Sequence, residues 1–166
     1  DSIKLYLVGP FDTNADERYI RGKIDNSILL KEMVEIEGPK YGIEKDKYYN
    51  KCDLFVHTSR YEGMPMSVLE AMQVGLPSLV TPGTNMANII EVSGGGFIVD
   101  ANVDSIVNVI NNIRKIPKGD LIKIGRKASE WSTKYLNWDR ITKQYEEMYS
   151  ETKLKTYCKK PRGVHS

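Results

Sequence analysis

Short apolar runs alternate along this chain with longer segments in which apolar residues recur every three or four positions. The short runs are rich in Val, Ile, Leu, Tyr and Phe, and most end at Gly or Pro, which is typical of strands that lead into loops. They predict five strands, at 3–8, 33–37, 53–57, 77–81 and 97–99. The longer segments predict helices at 14–31, 44–50, 66–74, 104–113, 118–134 and 138–152. Residues 86–92 are interpreted as a turn-rich connection.

Strands that alternate with helices imply a parallel sheet with helices on both faces. The predicted fold class is therefore α/β, with a Rossmann-like, doubly wound parallel sheet of about five strands. Ligands of such sheets bind beside the carboxyl ends of the strands. Four loops follow strands at that edge, at 9–10, 38–39, 58–63 and 81–85. Together they predict a ligand site.

Two glutamates, Glu62 and Glu70, flank the point at which a loop turns into a predicted helix. The first backbone N–H groups of a helix have no partner within it, and the helix dipole attracts anions. We therefore predict that the first amides of this helix face a diphosphate, with one carboxylate on either side. The amides concerned are those of Met66, Ser67 and Val68.

The composition predicts one domain followed by a short tail. A chain of 166 residues with 40% hydrophobic content buries one substantial core. Residues 1–150 carry a net charge of −2 and residues 151–166 a net charge of +4, which makes the latter a basic and flexible tail. Contact of the tail with anionic lipid is the alternative. A body of this charge offers no broad surface for nucleic acid.

The chain shows neither a membrane span nor the marks of an oxidising compartment. No apolar run approaches the ~18 residues that a span requires. Its first residues lack the charged and then apolar plan of a signal peptide. Cys52 and Cys158 stand far apart, without the spacing of a metal site. We expect a cytoplasmic protein. If the basic tail contacts anionic lipid, the protein would lie peripherally at the inner face of the membrane.

The segment from Asp53 to Pro77 reads DLFVHTSRYEGMPMSVLEAMQVGLP. It resembles the donor-binding half of family 4 retaining glycosyltransferases, which have the GT-B fold. The likeness runs forward through Gly96-Phe97-Ile98-Val99 to the last helix, and backward to Leu7-Val8-Gly9. The resemblance implies that residues 1–150 are a nucleotide-sugar-binding domain, incomplete at its N-terminus, from the C-terminal half of a GT-B enzyme.

The resemblance assigns different tasks to the two glutamates. Glu62 would contact the hydroxyls of the donor sugar and is the expected catalytic residue, whereas Glu70 would bond the ribose hydroxyls. Ionised carboxylates suit both tasks, because a hydrogen bond to a charged group contributes ~1.5–3 kcal/mol. The loop around Ile36 would lie against the base. The other donor-binding candidates are Gly9, Arg60, Gly63, Met64, Pro65, Met66, Ser67 and Val68, with an ordinary surface position as the alternative for Arg60.

The resemblance also implies a reaction. The donor would be a UDP- or GDP-linked sugar, transferred with retention to a saccharide or lipid-linked acceptor. Such enzymes carry an Arg and a Lys on a first strand–helix unit, preceded by an acceptor-binding half, and this chain begins after both. The isolated chain is therefore expected to be inactive. No cofactor and no metal are expected, because GT-B enzymes need none and the sequence contains no Asp-x-Asp pair.

Other interpretations stay open. A non-catalytic nucleotide- or sugar-binding module, or a gene remnant, would keep the motif without turnover. Nucleotide-sugar epimerases share the GT-B architecture, although the spacing of the two glutamates argues against them. His57 ends the third predicted strand, and we interpret it as a residue that packs or hydrogen-bonds near the site rather than a catalytic one.

Overall fold

The chain folds as two compact units, Asp1–Cys52 and Asp53–Ser166. The computed structural model describes residues 3–157, and side chains for 3–151. The smaller unit contains two strands and three helices: β1 (Leu5–Val8), α1 (Asn14–Asp25), α2 (Ile28–Met33), β2 (Val34–Gly38) and α3 (Ile43–Lys51).

The two strands of the smaller unit pair in parallel. Leu7 lies opposite Ile36, and the register shifts between Leu7 and Val8. Beyond the strand ends, the Gly9 amide donates to the Gly38 carbonyl at 3.0 Å. The loops at 9–10 and 38–39, which the sequence placed at the carboxyl ends of their strands, are therefore held together.

The helix predicted at 14–31 is two helices, and the prediction of one was wrong. Helix α1 ends at Asp25, and the Ser27 hydroxyl accepts a hydrogen bond from the Leu30 amide at 3.3 Å. A side-chain oxygen in that position caps a new helix N-terminus. Ser27 thus begins α2, although the apolar period continues across the break.

The larger unit contains three strands and five helices within residues 53–157. They are β3 (Phe55–His57), α4 (Met66–Gln73), β4 (Ser78–Val80), α5 (Ala87–Ser93), β5 (Gly96–Ile98), α6 (Val103–Ile113), α7 (Lys118–Tyr135) and α8 (Trp138–Tyr157), with a 3-10 turn at Pro82–Thr84. Strand β4 lies between β3 and β5, and both pairings are parallel.

The predicted α/β class with parallel strands is confirmed, and all five predicted strands are present. They are hydrogen-bonded as a two-stranded and a three-stranded sheet rather than as one sheet. Each sheet belongs to one of the two units, because β1 and β2 lie before Cys52 and the other strands after it.

Strand β4 carries the core of the larger unit on both of its faces. Val80 packs in a cluster with residues of α4, of α5 and its N-cap, and of α7: Val68, Met72, Met86, Ile90 and Ala128. Leu79, the preceding residue, packs with Val99 and Ile113. Because successive side chains of a strand point to opposite faces, these clusters place helices on both sides of the sheet, as predicted.

Helix α5 lies in the stretch interpreted as turn-rich, and that interpretation was wrong. Met86 and Ile90, one helical turn apart, are both fully buried. Gly94 closes the helix in the left-handed conformation, with φ 60°. Turn residues on both sides of this two-turn helix obscured its apolar period.

Helix α8 runs to Tyr157, beyond the predicted end at 152. The predicted boundary between domain and tail, at 150/151, lies within this helix, which continues over residues 151–157. The rest of that segment, residues 158–166 with Cys158, lies outside the described residues. Among the described helices, none has the length and apolar character needed to cross a membrane.

A polar cluster joins β1, β2 and α3 in the smaller unit. The Tyr6 and Tyr48 rings meet edge to face, with centroids 5.7 Å apart. The Lys51 ammonium lies 4.0 Å from the centroid of the Tyr6 ring. A hydrogen bond to the Glu37 carboxylate, with burial and the nearby acids, raises the pKa of Tyr48 from 10.0 to about 12.

Helices α4 and α7 approach closely through a glycine. A Cβ on Gly125 in α7 would overlap the carbonyl oxygen of Gly75, the residue at which the chain leaves α4. The Ser129 hydroxyl, one turn further along α7, donates to the Gln73 carbonyl at 2.9 Å. This contact fixes α7 against the end of the helix that begins at the predicted site.

We expect Tyr48 to make the stability of the protein fall at high pH. A raised native pKa means that the protonated phenol stabilises the folded state. This contribution is complete below pH 10 and is lost as the pH rises through about 12. Urea unfolding at a series of pH values should show a smaller decline over this range in Tyr48→Phe. Tyr41→Phe, at a ring that is 77% exposed, is the control and should retain the parent's decline.

We expect Gly125→Ala to destabilise the protein by about 1–3 kcal/mol, because the added methyl group forces α7 away from Gly75. Gly119→Ala in the same helix is the matched control, since a Cβ there meets no atom within 4 Å. That change should leave the free energy of unfolding unchanged or raise it by up to about 1 kcal/mol. Equal effects of the two substitutions in thermal unfolding would refute the close-packing account.

Candidate functional site

The Glu62 loop, residues 58–65, connects β3 to α4 and is held at its backbone by the turn that follows β4. The Glu62 amide donates to the Gly83 carbonyl at 2.8 Å. The Thr81 hydroxyl donates to the Ser59 carbonyl. In the larger unit, the loops predicted at 58–63 and 81–85 therefore meet.

Asn85 holds the same loop through its side chain. Its amide nitrogen Nδ2 donates to the Glu62 carbonyl at 2.7 Å and to the Gly63 carbonyl at 3.0 Å. The backbone of Asn85 is left-handed, with φ 57°, a conformation that Asn tolerates better than most residues. The Pro82–Thr84 turn and this conformation together aim the side chain at the Glu62 loop.

Gly83 allows the two loops to approach each other. A Cβ at this position would overlap the carbonyl oxygen of Arg60 and lie 3.0 Å from the Ser59 carbonyl oxygen. Glycine is therefore required for backbone packing here. The turn containing Gly83 and Asn85 supports the loop that carries Glu62.

The Glu62 carboxylate is itself held by two side chains. The Ser59 hydroxyl donates to Glu62 Oε1 at 3.2 Å. His57 Nε2 lies 3.5 Å from the same oxygen and 3.4 Å from Ser59 Oγ. His57 stacks on Phe55, two residues earlier on the same face of β3, with 12° between the ring planes. The Glu62 side chain remains 39% exposed.

The Ser59–His57–Glu62 cluster does not have the arrangement of a nucleophilic triad. In such a triad, one histidine nitrogen faces the serine and the other faces the carboxylate. Here Nε2 faces both partners, and the serine hydroxyl donates directly to the carboxylate. The cluster is therefore suited to orienting a carboxylate, not to activating a hydroxyl.

Helix α4 begins directly after the Glu62 loop, at Met66. Pro65 occupies the N-cap position, and its side chain makes no capping bond. The Val68 amide donates to the Pro65 carbonyl at 3.1 Å, and the Val68 side chain is fully buried. Of the predicted anion-binding amides, that of Val68 is therefore already used within the chain.

The other loop candidates lie at the surface to different degrees. Pro65 is buried and has no amide hydrogen to donate, so it contributes shape rather than a hydrogen bond. Gly63, Met64 and Met66 are exposed, while Ser67 is half-buried. The exposed residues on either side of Pro65 form the part of the loop that faces solvent.

Glu70 and Arg60 occupy unlike positions. Glu70 lies four residues into α4 and is half-buried. The Arg60 side chain is exposed, while its carbonyl packs against Gly83. Two other candidates, Gly9 and Ile36, belong to the smaller unit, where Gly9 bonds to Gly38 and Ile36 pairs with Leu7.

The described residues contain no group of three or more His, Cys, Asp or Glu side chains placed to hold a metal ion. The acids of the site are separated instead: Glu62 is bonded to Ser59, and Glu70 lies on the following helix.

Ser59 was not predicted as a site residue, whereas Asn85 was predicted at the site only as the last residue of the 81–85 loop. Ser59 lies three residues before Glu62, a spacing at which a hydroxyl reaches forward to an acid within a turn. Asn85 follows Pro82 and Gly83, and Asn after such turn residues favours a left-handed position. These signals indicate a turn, but they do not indicate which loop the turn contacts.

The fold is that of the GT-B enzymes. The chain superimposes on sucrose-phosphate synthase of Thermosynechococcus elongatus with a TM-score of 0.77 and 23% identity, over 90% of this chain and 38% of that one. It superimposes on Anabaena HepE in complex with UDP-glucose with a TM-score of 0.76 and 20% identity, over 89% of this chain and 41% of that one.

The sequence model of the family described as glycosyl transferases group 1 matches residues 1–131. The chain belongs to this family, as the motif around Glu62 and Glu70 indicated. It is 35% identical to the amylovoran biosynthesis glycosyltransferase AmsD of Erwinia amylovora over 98 residues, which are 58% of this chain and 26% of that protein.

A second relative is the UDP-Gal:alpha-D-GlcNAc-diphosphoundecaprenol alpha-1,3-galactosyltransferase of Escherichia coli. It is 36% identical over 59 residues, which are 35% of this chain and 15% of that protein. The matches thus span about a quarter or less of the length of these two relatives.

We expect Asn85→Asp to loosen the Glu62 loop, because a carboxylate cannot donate to the two carbonyls that Asn85 now serves. The free energy of local opening at the Glu62 amide should fall by about 1–3 kcal/mol, as for the loss of two hydrogen bonds. Amide hydrogen exchange measures this change. Asn85→Gly keeps the left-handed backbone and should act in the same direction, so unchanged exchange in both variants would contradict the bracing role.

Proposed function

We propose that this chain is the donor-binding part of a glycosyltransferase, which binds a nucleoside diphosphate sugar at the Glu62 loop and the start of α4. One observation carries the proposal. The Glu62 carboxylate is fixed beside the N-terminus of α4, and the side chain of the N-cap residue, Pro65, makes no capping bond there. Carboxylates accept bonds from sugar hydroxyls, and helix N-termini favour phosphate.

The names of similar proteins support this proposal. The Escherichia coli relative is named for a UDP-linked galactose donor, and Anabaena HepE was crystallised with UDP and with UDP-glucose. We propose a UDP-linked sugar as the donor, with a GDP-linked sugar as the alternative base. The family and these names also support a hexosyltransferase as the complete enzyme.

Within that proposal, each glutamate has one task. Glu62 contacts the hydroxyls of the donor sugar at the reacting end, and Glu70 bonds the ribose of the nucleotide. The exposed backbone of the loop and the first amides of α4 hold the diphosphate. Arg60 serves a phosphate, whereas Gly9 and Ile36 stay predictions from the sequence.

The reaction we propose is transfer of the sugar with retention to a saccharide or lipid-linked acceptor. Relatives named for amylovoran and colanic acid biosynthesis support a polysaccharide product. No metal or cofactor takes part in the proposed donor binding. We propose a cytoplasmic location, with peripheral contact at the inner face of the membrane where a lipid-linked acceptor is available. The chain by itself is proposed to bind donor without turnover.

Calorimetric titration of the chain with UDP, GDP and ADP tests this function. We expect one of the three to bind, and we expect a chelator to leave its Kd unchanged. Glu70→Gln should raise that Kd about 10-fold or more, because a charged acceptor for the ribose hydroxyls is lost.

Glu91→Gln is the control for this titration. Glu91 is an exposed acid on helix α5, so the substitution changes the net charge equally and should leave the Kd unchanged. Absence of binding by all three nucleotides up to millimolar concentrations would refute the proposed function. A Glu70→Gln effect no larger than that of Glu91→Gln would refute the role of Glu70.

A further inference from the structure

We propose that Ser59 and His57 are positioning residues that hold the Glu62 carboxylate ready for the donor sugar. This inference rests on the proposed function, and it adds two residues that the motif of two glutamates does not contain. It assigns the hydroxyl of Ser59 and the imidazole of His57 to the recognition of the sugar, not of the nucleotide.

Both contacts reach the same oxygen of Glu62. The Ser59 hydroxyl donates to Oε1 at 3.2 Å, and His57 Nε2 lies 3.5 Å from Oε1. The Glu62 side chain remains 39% exposed. The protein therefore holds the carboxylate at one oxygen while the side chain stays accessible to sugar hydroxyls.

The two holding residues are themselves fixed. Ser59 has its carbonyl bonded by the Thr81 hydroxyl, which is fully buried. His57 belongs to β3, where it pairs with Val80 of the central strand, and its ring stacks on Phe55. The sheet, and not the loop alone, therefore fixes the position of the carboxylate.

The charges of the three groups agree with this role. With a proton on Nε2, the imidazole donates towards Ser59 Oγ and Glu62 Oε1, and the serine hydroxyl donates its single proton to Glu62. Glu62 Oε1 is the acceptor that both groups face. An ionised carboxylate accepts strong bonds from hydroxyls, which is the property that sugar recognition requires.

The contribution of this cluster differs from that of a structural residue. Loss of loop structure would weaken UDP and UDP-glucose equally, because the loop also faces the diphosphate. Loss of carboxylate orientation would weaken only the part of the affinity that the glucose adds. The ratio of the two Kd values therefore separates a positioning role from a structural one.

The test is calorimetry of the full chain with UDP and with UDP-glucose. In Ser59→Ala and His57→Leu we expect the Kd of UDP-glucose to rise about 3–10-fold, as for loss of one hydrogen bond, while that of UDP changes by less than about 2-fold. Ser59→Thr restores a hydroxyl and His57→Gln restores an N–H donor, so both should recover the parent ratio. Ser150→Ala, at an exposed serine of α8, is the control.

A second measurement needs no ligand. Side-chain carbon relaxation of Glu62 reports whether the carboxylate arm is ordered, and we expect order in the parent chain, loss of order in Ser59→Ala, and recovery in Ser59→Thr. Equal mobility in all three would overturn the inference. So would an unchanged ratio of Kd values in both Ser59→Ala and His57→Leu.

The proposed function fails separately from this inference. If the parent chain binds neither UDP nor UDP-glucose, donor binding of the uridine type is refuted, while the relaxation data still decide whether Ser59 orders Glu62. A further outcome is that Glu62→Gln lowers the affinity that glucose adds to UDP while the Ser59 and His57 variants do not. In that case sugar recognition by Glu62 is supported and the positioning role of Ser59 and His57 is refuted.

Discussion

Burial of strand β4 is the constraint on which the larger unit depends. Its three residues are fully buried, and each of its edges pairs with a parallel neighbour. Both core clusters contact it, one through Val80 and the other through Leu79. Because β4 cannot shift without breaking two ladders and two clusters, the turn that follows it is fixed in space. Because the Glu62 loop is bonded to this turn, its position is fixed as well.

The contacts that support the site begin at the sheet and reach the Glu62 loop through the turn after β4 and the end of β3. Gly83 and Asn85 bind the backbone of the Glu62 loop, whereas Ser59 and His57 bind the carboxylate. Backbone and side chain are therefore held by different elements, the first by the turn after β4 and the second by the end of β3. Such a division means that the loop backbone and the carboxylate are oriented by separate contacts.

The sequence predicted the elements better than it predicted their contacts. Strands and most helices followed from period and turn residues, and the motif from Asp53 to Pro77 indicated the family before any coordinates. The break at Ser27 was missed because a cap overrides a continuing apolar period. Helix α5 was missed because its two turns are too short for a period to emerge beside Gly-rich flanks. The hydrogen bonds from Asn85 reach Gly63 and Glu62, which lie 22 and 23 positions earlier in the chain. No local sequence pattern predicts a contact over that distance.

The bonds from Asn85 have a consequence for how a ligand arrives. A loop that orders only on binding loses conformational entropy at that moment, which weakens affinity and slows association. In this chain the carbonyls of Glu62 and Gly63 are bonded by Asn85, within the protein itself. The entropy of the loop is therefore lost when the protein folds. A ligand of the proposed site would then meet a preorganised surface, and we expect diffusion and orientation, rather than closing of the loop, to set its association rate.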